Sequence, residues 1–157
     1  MLFSTPEFII FFICVLAVIS CIKFRKFQHL FLLGASYFFF YFSSNFLITL
    51  LIYSTLLDYY IGKAIFASKT QKQKKILFAI SLSGNLGLLG FFKYIDFGIA
   101  QFNHIAKIIG ISDIAPLEII LPIGISFYTF QSISYTFDVY RGKLKPSESL
   151  TEFALFV

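Results

Sequence analysis

The stretch LPIGISFYTFQSISYTFDVYRG, Leu121 to Gly142, is apolar enough to enter a bilayer and yet carries Tyr, Gln, Ser, Thr and Asp along its length. Placed on a helix at about 100° per residue, Gly124, Tyr128, Gln131, Tyr135 and Asp138 fall within a sector of about 80°. Phe130, Ile133, Phe137 and Tyr140 fall on the opposite side. Hydrocarbon satisfies neither a Gln amide nor an Asp carboxylate, and each unsatisfied group costs several kcal/mol. The polar stripe is therefore expected to face other helices or a wet interior. Two roles stay open for it at this point. It either glues helices by interhelical hydrogen bonds or lines a space that substrate enters. Asp138 stands three residues before Arg141, and an ion pair between them is the plain expectation.

The rest of the chain explains why a bilayer is the solvent. Of 157 residues, 58% are hydrophobic, 20% aromatic and only 13% charged. Soluble domains sit near 25% charged, so too little polar surface exists here to cover a globule in water. A span needs about 20 mostly apolar residues. The apolar runs give five candidates, at 3–22, 27–42, 46–66, 76–99 and 119–140. Between the last two lies QFNHIAKIIGISDIAPLE, whose Phe102, Ile105, Ile108 and Ile109 recur at helical spacing and suggest a short interfacial helix before Pro116. The expected fold is all-α: a polytopic transmembrane helix bundle of about five spans plus that interfacial helix, in one domain covering residues 1–157.

The net charge of +5 comes in short basic clusters between the apolar runs. A nucleic-acid footprint wants a continuous basic face, so nucleic acid is not an expected partner. Topology accounts for the clusters. With the N-terminus outside, eleven of the thirteen basic residues face the cytoplasm, and only Lys93 and Lys107 remain outside. The first charge is Glu7 and the first basic residue is Lys23, so the N-terminus lacks the basic opening of a signal peptide and is expected to stay as a span. Cys14 and Cys21 are seven residues apart in one expected helix, about 10 Å, which is beyond disulfide reach.

Other features read structurally. GNLGLLG, with Gly84, Gly87 and Gly90, has the wrong spacing for a dinucleotide fingerprint and suits close helix approach. Asn85 beside it is expected to hydrogen-bond a neighbouring helix. Asp58 is expected at the interface or paired with Lys63. Neither histidine, His29 nor His104, belongs to a metal spacing or a nucleophile triad, and both read as interfacial. No catalytic residue, metal ligand or bound cofactor is expected among these residues. At the end, SLTEFALFV opens like a helix, with Ser149 as cap and Glu152 three residues on. The chain stops seven residues into it, which suggests a portion of a longer protein.

The long motif LPIGISFYTFQSISYTFDVYRG resembles the signature of the membrane-bound O-acyltransferase family, in its bacterial alginate O-acetylation branch. LGFFKYIDFGIAQFN at 89–103, LLGASYFFFYF before it and DYYIGKAI are similar to that branch too, in the same order. The resemblance implies an integral protein of the bacterial inner membrane. It implies transfer of an acyl group, acetyl by this branch, from a donor such as acetyl-CoA or another acyl carrier to hydroxyls of an exported polysaccharide. Periplasmic or membrane acyltransferase proteins are the implied partners. The family's catalytic histidine is expected beyond residue 157, with Tyr128, Gln131, Tyr135 and Asp138 lining or bracing the tunnel. The alternative is a non-catalytic membrane component of a polysaccharide export or assembly complex. A transporter would call for inverted repeats, and none is visible.

Overall fold

The computed structural model describes residues 6–44, 47–109, 114–117 and 124–157. Within them the chain forms six helices and no strand: α1 (Pro6–Cys21), α2 (Arg25–Ser44), α3 (Ile48–Ala67), α4 (Gln71–Ile109), α5 (Ile125–Tyr140) and α6 (Leu150–Phe156). Helices α3, α4 and α5 pack pairwise into the core, α6 closes against α2 and α3, and α1 rests on α2.

Helices are what a bilayer demands, because each satisfies its own backbone. Helices α3 and α4 are each long and apolar enough to cross a membrane, and α1 is a shorter apolar helix of 16 residues. The outward surface fits that solvent. Ile9, Ile10, Ile13 and Phe12 on α1, and Phe91 and Phe97 on α4, are exposed. In water such a contiguous apolar surface would aggregate. No residue of α1 is buried; its hold on α2 is aromatic, through Phe8 on Phe39 at 5.2 Å and Phe11 on Phe38 at 6.0 Å.

Two expectations change here. The mixed segment after residue 99 does not form a separate interfacial helix. Instead α4 runs unbroken for 39 residues. Gly98 alone does not stop it: a mid-helix glycine costs about 1 kcal/mol against alanine and leaves the hydrogen-bond ladder intact. Beyond α4, Asn103 clamps Ile114 by two bonds of 2.7 and 2.8 Å, and the Asp96 carboxylate accepts from the Leu117 N–H at 2.9 Å. Second, Gly124 lies ahead of α5 as its N-cap, with φ of 77°. The stripe on α5 therefore begins at Tyr128. The expected start of that span, residues 119–123 with Pro122 among them, lies outside the described residues.

At its other end α5 closes through Gly142, whose φ of 71° is the left-handed value that glycine takes without a Cβ penalty. The Lys143 N–H returns to the Asp138 carbonyl at 3.0 Å. The chain then turns back, and Ser149 caps α6 by accepting from the Glu152 N–H at 3.5 Å, as the sequence suggests.

Small residues set two close approaches. A Cβ on Gly84 would meet the Leu57 Cδ2 at 2.9 Å, which bears out the packing role of that glycine, whereas Gly87 and Gly90 face open space. A Cβ on Gly62 would meet the Tyr135 ring at 3.0 Å. The two sites differ in what can yield. Leu57 offers a mobile methyl, but Tyr135 is held by Phe153 at 4.4 Å and by the Ser147 N–H at 3.0 Å. Gly62→Ala is therefore expected to cost about 1–2 kcal/mol by overpacking. Gly84→Ala is expected to be neutral or stabilising, since alanine gains about 1 kcal/mol of helix propensity. Thermal unfolding of the two variants in one detergent checks the order, and equal losses would refute it.

Candidate functional site

Three polar pairs at four-residue spacing, one on each core helix, meet in the middle of the bundle: Ser54 and Asp58 on α3, Ser81 and Asn85 on α4, Ser132 and Thr136 on α5. All six are buried, and Asp58 has no exposed surface. Four residues is one helical turn, so each pair lies on one face. Asp58 is the hub. Ser81 donates to its Oδ1, and Ser132 donates to its Oδ2. The Asn85 amide donates to Oδ2 at 2.8 Å and to the Ser81 carbonyl at 3.0 Å. Ser54 donates to the Asn85 Oδ1 at 2.6 Å and lies 3.4 Å from the Ser132 hydroxyl. Asn85 thus bonds a neighbouring helix, as expected from sequence.

Asp58 does not behave as the sequence reading expects. It lies ten residues into α3, about 15 Å from that helix's start and at the middle of its 20 residues. It is neither interfacial nor paired with Lys63. The Lys63 ammonium goes to the Tyr59 hydroxyl at 2.5 Å and to the Glu148 carbonyl at 3.5 Å. Tyr59 in turn donates to Glu148 at 3.0 Å. The lysine sits one turn further along, where it reaches the connector to α6, while Asp58 points into the core.

The stripe on α5 is partly recovered. Tyr128 and Tyr135 are buried, and Phe130 and Phe137 are exposed on the far side. The buried face, however, consists of Ile125, Tyr128, Thr129, Ser132, Tyr135, Thr136 and Val139. It is turned about 80° from the predicted stripe, toward the small hydroxyls. Gln131 and Asp138 fall at its edge, half-buried. Gln131 donates to the Phe156 carbonyl of α6. The Tyr135 ring lies between Gly62 and Phe153, with its hydroxyl accepting from Ser147. The Asp138–Arg141 ion pair is absent. The Asp138 backbone carbonyl caps the turn, and the Arg141 guanidinium lies 5.3 Å from the centre of the Phe137 ring, where a cation over an aromatic face competes well with an exposed ion pair.

Among the described residues, two buried polar atoms have no protein partner, the Tyr128 hydroxyl and the Gln131 Oε1. Tyr128 lines a cavity of about 510 Å³ between α2, α3, α5 and α6. Among the described residues no group of three His, Cys, Asp or Glu side chains could hold a metal ion. His29 reaches Glu152 of α6 at 3.9 Å, and both cysteines are free and exposed.

The polar node escaped the sequence reading because the residues that build it are small. Serine and threonine scarcely alter hydropathy, and the stripe on α5 was weighted toward Gln and Asp. The signal that could have found it is the shared four-residue spacing in three consecutive apolar helices.

No family model and no solved structure matches the chain. Curated proteins do. A protein of Pseudomonas putida named "Probable alginate O-acetylase AlgI" is 34% identical over 160 residues, covering 100% of this chain and 33% of the relative. Its namesake in Azotobacter vinelandii is 36% identical over 159 residues, with 100% and 32% covered. A peptidoglycan O-acetyltransferase of Helicobacter pylori is 36% identical over 146 residues, covering 90% of this chain and 27% of that protein. The chain thus spans about a third of the length of the curated relatives it matches. Over 90–100% of its length the chain is similar to curated proteins named for O-acetylation.

Proposed function

We propose that this chain is part of an integral membrane O-acetyltransferase of the bacterial inner membrane, which moves acetyl from a donor such as acetyl-CoA or another acyl carrier to hydroxyls of an exported polysaccharide. The observation that carries this reading is the match over the whole chain to probable alginate O-acetylases, and over 90% of it to a peptidoglycan O-acetyltransferase. Five helices, α1 to α5, cross the bilayer with the N-terminus outside, which leaves the basic loops at 23–26, 68–75 and 141–145 in the cytoplasm. Partner acyltransferase proteins of the membrane or periplasm hand on the acetyl group.

The chemistry needs a general base on the acceptor hydroxyl. That base is a histidine outside residues 1–157. This portion supplies wall and scaffold. Tyr128, Gln131, Tyr135 and Asp138 line or brace the transfer tunnel, and two of them do so by holding other segments: Gln131 holds α6, and Tyr135 holds the connector before it. The bonds of Gln131 and Tyr135 favour bracing over direct contact with substrate.

The test is the double variant Gln131→Leu/Tyr135→Leu in the complete enzyme, assayed for polysaccharide O-acetylation in membranes. Transfer is expected to fall about tenfold or more, as two positioning bonds of about 1 kcal/mol each are removed. The amount of inserted protein should stay unchanged, and a cysteine placed at position 72 should remain closed to impermeant reagents in intact cells. Full activity in the double variant would reject the role given to these residues.

A further inference from the structure

The cavity beside Tyr128 has an orphaned donor, a mostly apolar wall and a definite depth. Tyr128 is only 5% exposed, and its hydroxyl bonds no protein atom. A buried hydroxyl without a partner costs about 1–3 kcal/mol, so its native surroundings should supply one. The wall around it includes Phe40, Leu155 and Val157, with the Phe40 ring edge-on to Tyr128 at 6.3 Å. A ligand for this space must be greasy along most of its length and carry one acceptor.

Depth narrows the choice. Ser43 near the end of α2, Leu51 in the first turn of α3 and Gly124 at the start of α5 all line the same cavity. Three helix ends at one level mark a face of the membrane. A 20-residue helix such as α2 covers about 30 Å, the thickness of the hydrocarbon core. Tyr128 lies four residues, about 6 Å, inward from Gly124. That is the layer where hydrocarbon gives way to headgroups, and where the ester carbonyls of glycerophospholipids sit. Phe127, 73% exposed, stands at the rim.

We propose that this cavity holds one ester-linked acyl chain of a bilayer glycerophospholipid, with its ester carbonyl accepting from the Tyr128 hydroxyl. The chain lies along Phe40 and is closed in by Leu155 and Val157. The occupant comes from the bilayer rather than from the transfer reaction, so Tyr128 braces the tunnel wall from its lipid side rather than meeting substrate. The inference rests on the spanning arrangement of α2, α3 and α5, not on acetyl transfer.

The experiment uses the full chain in nanodiscs of phosphatidylethanolamine doped with a phosphatidylglycerol that carries a diazirine in one acyl chain. Adducts after irradiation are mapped by peptide mass spectrometry. Adducts are expected at Phe40 and Leu155 in addition to the lipid-facing α1 residues Ile9 and Ile13. Tyr128→Phe removes only the unbonded hydroxyl, so folding is kept. It should lower the cavity adducts about fivefold, the equivalent of one hydrogen bond, while α1 labelling holds. Leu155→Trp fills the space and should abolish them. Cavity labelling indifferent to Tyr128→Phe, as a bridging water on the hydroxyl would give, overturns the proposal. So does labelling by a long-chain acyl thioester probe but not by the phospholipid, which would assign the space to an acyl donor. Labelled α1 with an empty cavity overturns the lipid site alone. No labelling anywhere overturns the membrane arrangement with it.

Discussion

Asp58→Leu is expected to lower stability by about 3 kcal/mol, with a fall in the thermal midpoint of the detergent-solubilised chain that exceeds the loss expected for Gly62→Ala. The leucine would strand three donors aimed at one point: the Ser81 and Ser132 hydroxyls and the Asn85 amide. A stranded buried donor costs about 1–3 kcal/mol in a protein interior. Hydrogen bonds between membrane helices average nearer 0.6 kcal/mol, because helices pulled apart in lipid find other partners. The lower end, about 1 kcal/mol per donor, is therefore the appropriate scale. Asp58→Asn separates geometry from charge. Its carbonyl in the Oδ2 position still accepts from Asn85 and Ser132, and the Ser81 hydroxyl can rotate to accept from the new amide, so a loss of about 1 kcal/mol is expected. If the leucine variant melted with the wild type, the node would not hold the three helices together.

Phe153→Ala is the second large effect, and it is expected to stay local. Phe153 is almost wholly buried, with its ring 4.4 Å from Tyr135 and 6.1 Å from Tyr59. Truncating a buried Phe typically costs 3–5 kcal/mol. Helix α6 has only seven residues, too few to hold itself without its anchor. The loss should appear as undocking of α6 and its connector rather than as collapse of the core. Hydrogen exchange should rise by about a hundredfold or more in 147–157, which corresponds to about 3 kcal/mol, while α3 and the middle of α4 keep their protection. Uniform exchange across all helices would show instead that α6 belongs to one cooperative unit with the core.

Much of this architecture was legible because bilayer physics leaves few options. Apolar runs of about 20 residues become helices, and loops collect lysine. The sequence located α3 to within two residues at its start and placed the cap at Ser149 correctly, since a serine followed three residues on by glutamate before an apolar run has one economical geometry. The direction of the α5 core face was only half legible. Hydropathy ranks Gln131 and Asp138 as the groups most hostile to lipid, yet both can reach backbone or water from an edge. Ser132 and Thr136 have short side chains and must sit where the helices touch. Asp58 was misread for a related reason: a lysine five residues away is visible in one dimension, whereas its partners on α4 and α5 lie 23 and 74 residues distant.

The uninterrupted α4 has a mechanical consequence. Its 39 residues measure about 58 Å, against about 40–45 Å for a whole bilayer with its headgroups. Asn85, the nearer of its two contacts with the polar node to that end, acts as a pivot about 36 Å from the far tip at Ile109. A swing of about 5° at the pivot carries that tip through about 3 Å, with no joint between to absorb it. Any body gripping the last turns of this rod from outside the membrane would have leverage on the packing at mid-depth, and the reverse holds as well.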